Sequence, residues 1–164
     1  MKHIISVLVE NESGVLSRVA GLFSARGFNI ESLTVAPVDD GKQSRITLVT
    51  IGNDQIVEQI TKQLNKLIPV IRVANLNERA HVERELMLVK VAAEQENRAE
   101  VLRIADIFRS RVIDATTSSF IIEVTGNSRK LDACYNLLQP LGVVEMVRTG
   151  KVAMSRGEKG LEKR

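Results

Sequence analysis

Asn11-Glu12-Ser13-Gly14-Val15-Leu16, running through Arg18-Val19-Ala20-Gly21-Leu22-Phe23 to Gly27-Phe28-Asn29-Ile30, decides how the first half of this chain folds. Upstream, Ile4-Ile5-Ser6-Val7-Leu8-Val9 is a β-branched run of strand length, closed by Glu10. Downstream, Leu16, Val19, Ala20 and Phe23 recur at helical spacing; Ser13 or Asn11 can cap that helix and Gly27 can end it. Residues 29–38 then alternate, with Ile30, Ser32, Thr34 and Ala36 facing one way and Glu31, Leu33, Val35 and Pro37 the other. The stretch is a strand–helix–strand unit whose first turn is polar and contains a glycine.

Working outward, Asp39-Asp40-Gly41 is a hairpin turn signal, and residues 45–51 are the return strand. Ile56, Ile60, Leu64 and Leu67 predict a helix over 54–67, stopped before Pro69, and residues 70–73 close the unit as a fourth strand. The order βαββαβ in so short a span is the ferredoxin-like arrangement, an antiparallel sheet with both helices on one face. Its other face is expected to be uncovered, which gives the domain a reason to pair.

The second half repeats the plan. Strands are expected at 86–91, 112–115, 120–124 and 143–147, and helices at 98–111 and from Ser128 through Leu138. Arg18-Val19-Ala20-Gly21-Leu22-Phe23 is echoed by Arg103-Ile104-Ala105-Asp106-Ile107-Phe108 in the corresponding helix. The fold class is therefore α+β, with two ferredoxin-like βαββαβ subdomains. The expected domains are 1–77, 78–150 and a flexible basic tail over 151–164, with a polar linker over 75–85.

Composition narrows the function classes. The 164 residues are 44% hydrophobic with one Tyr, four Phe and no Trp, so the core must be aliphatic. The net charge of +3 comes from scattered basic residues rather than a dense face, which argues against nucleic acid as a partner. The ferredoxin-like plan is shared with an RNA-binding module that stacks bases on strand aromatics, but 4–9 and 45–51 contain none. One cysteine, Cys134, precludes an internal disulfide and suits a reducing compartment. No run has the roughly 20 apolar residues of a membrane span, and 4–9 is too short for a signal segment. A cytoplasmic protein with no membrane partner is expected.

Candidate chemistry concentrates at the opening turn. A helix N-terminus presents unpaired N–H groups, so Gly14, Val15 and Leu16 could cradle a carboxylate while the Asn11 side-chain oxygen receives an ammonium. Local chemistry alone leaves this open beside the plain reading of a capped turn. Asn29 stands either as a helix-exit residue or as part of a site. His3 and His81 are in separate elements without ligands at metal spacing, and Asp39 and Asp40 belong to a turn rather than an acid/base pair. No nucleophile elbow or phosphate loop accompanies them. The segment is built to hold a ligand rather than to transform one.

The run from Asn11 to Val19 and on through Gly27-Phe28-Asn29-Ile30-Glu31-Ser32-Leu33-Thr34-Val35 resembles the N-terminal ACT domain of the regulatory (small) subunits of acetohydroxyacid synthase, also called acetolactate synthase. The similarity continues through Leu64-Asn65-Lys66-Leu67, His81-Val82-Glu83-Arg84-Glu85-Leu86 and Ser155-Arg156-Gly157. The resemblance implies a non-catalytic subunit that activates a separate catalytic subunit and confers feedback inhibition by valine in branched-chain amino-acid biosynthesis. It implies no cofactor in this chain; thiamine diphosphate, FAD and magnesium are expected in the catalytic partner. It also implies a homodimer through the ACT domain, with Asn11, Gly14, Val15 and Leu16 of one chain set against Asn29 and Ile30 of the other to bind valine. The alternative is a stand-alone amino-acid-sensing ACT regulator, which would need a DNA-reading element; neither half reads as a helix-turn-helix.

Overall fold

The computed structural model describes residues 1–158, 160 and 161. It divides into two units, Met1–Val82 with the segment from Lys151 onward, and Glu83–Gly150.

In the first unit β1 (Lys2–Glu10), α1 (Val15–Ala25), β2 (Ile30–Val38), β3 (Gln43–Ile51), α2 (Asp54–Leu64) and β4 (Val70–Asn75) follow in order. The sheet order is β2-β3-β1-β4, with every neighbouring pair antiparallel. Alternation along β1 sorts its residues by face. Ile5, Val7 and Val9 join Ile46 and Leu48 beneath Val19, Leu22 and Phe23 of α1 and Val57, Ile60 and Leu64 of α2. The Phe23 ring meets Phe28 edge-on, centroids 6.2 Å apart. α2 ends at Leu64, short of the expected 67, because Leu67 instead donates its N–H to the Leu64 carbonyl in a tightened turn before Pro69.

The opposite face of this sheet is not open. Ile4, Leu8, Val49, Ala74 and Leu76 are covered by Ala153 and Leu161. The expected tail over 151–164 is corrected accordingly: Val152–Ser155 form a strand, β9, and Ala153 and Leu161 are buried. Arg45 fastens this segment, its Nε donating to Ser6 Oγ at 2.9 Å and its Nη2 to the Ala153 carbonyl at 3.1 Å. Lys159, Lys163 and Arg164 of that basic tail lie outside the described residues. The sheet ends in two edge strands, β2 and β4, and β2 carries Val35 at 41% exposure.

The expected linker over 75–85 is also replaced by structure. Leu76–Glu78 form a 3₁₀ turn with Leu76 buried, and β5 begins at His81. Asn77 ties the turn to β1, accepting from the Ile4 N–H at 2.8 Å and donating to the Lys2 carbonyl at 2.9 Å.

The second unit carries β5 (His81–Ala92), α3 (Arg98–Ile107), β6 (Arg111–Ala115), β7 (Ser119–Gly126), α4 (Ser128–Leu138) and β8 (Val143–Arg148), in the order β6-β7-β5-β8. Met87, Val89, Val91, Phe120, Ile122 and Val124 pack under Val101, Ile104, Leu131, Cys134 and Leu138. Cys134 is fully buried in this core, as its place on an apolar helix face predicts. α3 stops at Ile107 rather than 111, because Arg109 turns to φ +50° and Arg111 starts β6.

Candidate functional site

The turn between β1 and α1 is held open by main-chain geometry rather than by a side-chain cap. Gly14 occupies the cap position at φ +84°, ψ −5°, and no side chain caps the helix. The expectation of a Ser13 or Asn11 cap is therefore corrected. The left-handed φ favours glycine on steric grounds, and a Cβ built there meets nothing within 4 Å, so any side chain would point into open space.

The donors at this helix end are largely uncommitted. The Val15 N–H reaches the Glu12 carbonyl only at 3.5 Å. Among the described residues the Gly14 and Leu16 N–H groups have no acceptor. Together with the positive end of the helix dipole they form an anion-attracting surface. Asn11 stands beside them, exposed, its own N–H donating to the Lys42 carbonyl at 2.8 Å. Its side-chain Nδ2 donates to the Gly41 carbonyl at 2.7 Å. That bond fixes the amide and leaves Oδ1 as an acceptor. The hairpin residues Gly41 and Lys42 are thus part of the site's scaffold, and sequence reasoning missed them because they are about thirty residues away. The Lys42 ammonium lies 3.0 Å from Asp40, holding that carboxyl below its ordinary value.

The remaining predicted residues divide. Val15 is buried in the core, so only its backbone is available, whereas Leu16 is 41% exposed. Asn29 is exposed and Ile30 half-buried at the start of β2. Thr50 Oγ1 donates to the Asn29 carbonyl at 2.7 Å, which positions Asn29 without using its side chain. These two residues are far from the turn. Glu10 and Val38 are both level with Gln43 of β3, while Ile30 is level with Thr50, seven residues along. Seven strand residues span about 23 Å. One chain brings Asn11, Gly14, Val15 and Leu16 together and leaves Asn29 and Ile30 at the other end of the sheet.

The corresponding turn in the second unit is chemically different. Asn97 heads α3, its Nδ2 donating to the Leu141 carbonyl at 2.8 Å and to the Ala92 carbonyl at 3.2 Å. Glu94, Glu96 and Glu100 lie within three residues of it in sequence, Arg98 follows it directly, and no glycine is present. Among the described residues no cluster of three His, Cys, Asp or Glu could hold a metal ion, and no helix is long and apolar enough to cross a membrane.

Comparison with known proteins covers both units. A family model described as "AHAS small subunit-like ACT domain" matches residues 5–72, and one described as "Small subunit of acetolactate synthase" matches residues 84–157. The chain belongs to the acetolactate synthase small-subunit family. It is 54% identical over 159 residues to the probable acetolactate synthase small subunit of Archaeoglobus fulgidus, covering 97% of this chain and 99% of that protein. It is 53% identical over 160 residues to the acetolactate synthase isozyme 3 small subunit of Escherichia coli, covering 97% and 98%. The crystal structure of the acetolactate synthase small subunit from Thermotoga maritima matches with a TM-score of 0.88 at 41% identity, covering 97% of this chain and 99% of that one. In this small-subunit family context the βαββαβ unit bearing the Gly14 turn is an ACT domain.

Proposed function

We propose that this chain is the non-catalytic regulatory subunit of acetolactate synthase, that it activates a separate catalytic subunit, and that it makes the complex sensitive to valine. Thiamine diphosphate, FAD and magnesium belong, in this reading, to the catalytic partner, and the complex works in the cytoplasm. The observation that carries the valine site is its division. Uncommitted N–H groups and an amide oxygen stand at one end of the sheet, and Asn29 and Ile30 stand about 23 Å away at the other. Two copies joined antiparallel along the exposed β2 edges would bring the Ile30 end of one strand to the Val38 end of the other. That end is level with Glu10 and the turn that follows.

In such a pair the α1 N-terminus takes the valine carboxylate, Asn11 Oδ1 takes the ammonium, and Leu16 with the partner's Ile30 gives an apolar wall. Valine buries about two more carbon groups than alanine, each contributing about 0.8 kcal/mol, so roughly tenfold discrimination follows from the wall alone. Because the ligand touches both chains, it can stabilise one packing of the dimer over another, and inhibition equals its differential affinity for the two.

Mixing the chain with a catalytic subunit tests the role: activity should rise, and valine should then lower it. No change in either quantity would overturn the reading. Subunit complementation tests the shared site. A Gly14→Asp chain and an Asn29→Ala chain, each defective alone, should regain part of the valine binding when mixed, since one site of the mixed dimer then carries both intact halves. Mixed dimers that bind no better than either parent would refute a site built from two chains.

A further inference from the structure

We propose a second ligand site in the first unit, distinct from the Gly14 turn, that takes a free α-amino acid with a carboxamide side chain. It lies in a groove of about 690 Å³ between α2, β1 and the segment from β4 into the 3₁₀ turn. That volume is within the range of small-molecule sites.

His3 carries the inference. It occupies the helix-facing side of β1, in line with Ile5, Val7 and Val9, yet it is an imidazole where the pattern calls for a hydrocarbon. It is only 2% exposed, and neither ring nitrogen has a hydrogen-bond partner. Thr50, directly opposite in β3, has its hydroxyl committed to the Asn29 carbonyl. Buried polar atoms are nearly always satisfied, so an orphaned ring facing a groove calls for a partner that enters it.

The charges around the groove narrow the ligand. Lys62 is paired with Glu58 at 2.7 Å, Glu78 accepts from Asn75 at 3.0 Å, and the N-terminal ammonium rests on the Gly52 carbonyl at 3.4 Å. Of the charged side chains that line the groove, those with no partner among the described residues are Asp54, in the first turn of α2, and Arg79, just past the 3₁₀ turn. One anion and one cation, contributed by different elements, suit the ammonium and carboxylate of a zwitterion. Val57 and Val73 add apolar surface to the same groove. Among the lining residues, the two unpartnered ring nitrogens of His3 can be met by a primary amide, which carries both an acceptor oxygen and donor N–H groups. An aliphatic amino acid would leave the ring unsatisfied, so this site selects against valine where the Gly14 turn would accept it.

The chain has two histidines, so the imidazole signals of the full-length protein can be followed by NMR and assigned with a His81→Gln variant. Glutamine, asparagine and norleucine are titrated separately under saturating valine, with calorimetry in parallel. The His3 signals should move saturably with glutamine or asparagine and not with norleucine. Arg79→Gln, an exposed change that leaves the core intact, should weaken that binding about tenfold, and His3→Phe should abolish it. His3 signals unmoved by both amides, or moved equally by norleucine, would overturn the proposal. So would an Arg79→Gln chain that binds as tightly as the parent.

Discussion

Replacing Gly14 by aspartate separates ligand recognition from folding. The residue sits at φ +84°, and a Cβ placed on it has no atom within 4 Å, so the substitution brings backbone strain but no collision. The strain costs roughly 1–2 kcal/mol. A carboxylate at the start of α1 returns about 0.3–1 kcal/mol through the helix dipole. The net loss is about 1 kcal/mol, a few degrees in Tm, and the domain stays folded. Ligand binding responds far more. Two carboxylates about 4 Å apart at an effective dielectric near 20 repel by about 4 kcal/mol, close to a thousandfold in Kd. Valine titration by calorimetry, a thermal melt and inhibition of the reconstituted complex measure the three consequences separately. Gly14→Asn is the control, since asparagine tolerates the same backbone without the charge, and it should lose about tenfold or less. An aspartate variant that binds valine within about threefold of the parent would refute the carboxylate cradle. Equal losses for the two variants would show that bulk, not charge, is what the turn excludes.

Asn29→Ala should weaken valine binding roughly fivefold with no change in Tm, because the side chain is exposed and only the carbonyl is used by the fold. Thr50→Val should do the reverse, lowering stability by about 1–3 kcal/mol in a chemical denaturation curve by orphaning that carbonyl. Deleting residues 151–164 uncovers Ile4, Leu8, Val49 and Leu76; Leu161 alone contributes about 2 kcal/mol, so a lower Tm and concentration-dependent association in sedimentation are expected. Burial pushes the Cys134 thiol above its ordinary value of 9.0. The unfolded chain therefore loses that proton first, so the stability from the neutral thiol is full below pH 9.0 and declines as pH rises toward the raised value. Denaturation curves on either side of pH 9.0 should show this slope, and Cys134→Ala should remove it.

The elements with strong local signals were legible from residue order. β1 is a run of β-branched residues, α1 has its apolar residues three and four apart, and Asp39-Asp40-Gly41 marks the hairpin where Asp39 and Gly41 adopt φ +48° and +79°. The segment over 75–85 was not legible. Leu76 is a lone apolar residue among polar neighbours, and its burial depends on Asn77 bonding across to β1, about seventy residues earlier. The 151–164 segment failed for the same reason. Ala153 and Leu161 show no period, and they are buried only because β1, β3 and β4 present an apolar face to them.

Of the candidate site, residue order proposes Asn11, Gly14, Val15, Leu16, Asn29 and Ile30, but it misses the Gly41 and Lys42 scaffold and cannot say which residues share a place. A glycine before a helical repeat identifies a helix N-terminus, because only backbone geometry and periodicity are needed. The tertiary structure decided that Asn11 is pinned by the Gly41 carbonyl, that Val15 faces inward, and that Asn29 and Ile30 lie at the far end of the sheet. Strand register sets those relations, and register is fixed by hydrogen bonds between residues that are distant along the chain. Whether a polar residue in an apolar column finds a partner is settled in the same way: residue order places His3 in β1, and packing leaves its ring nitrogens unpaired in the lining of a groove.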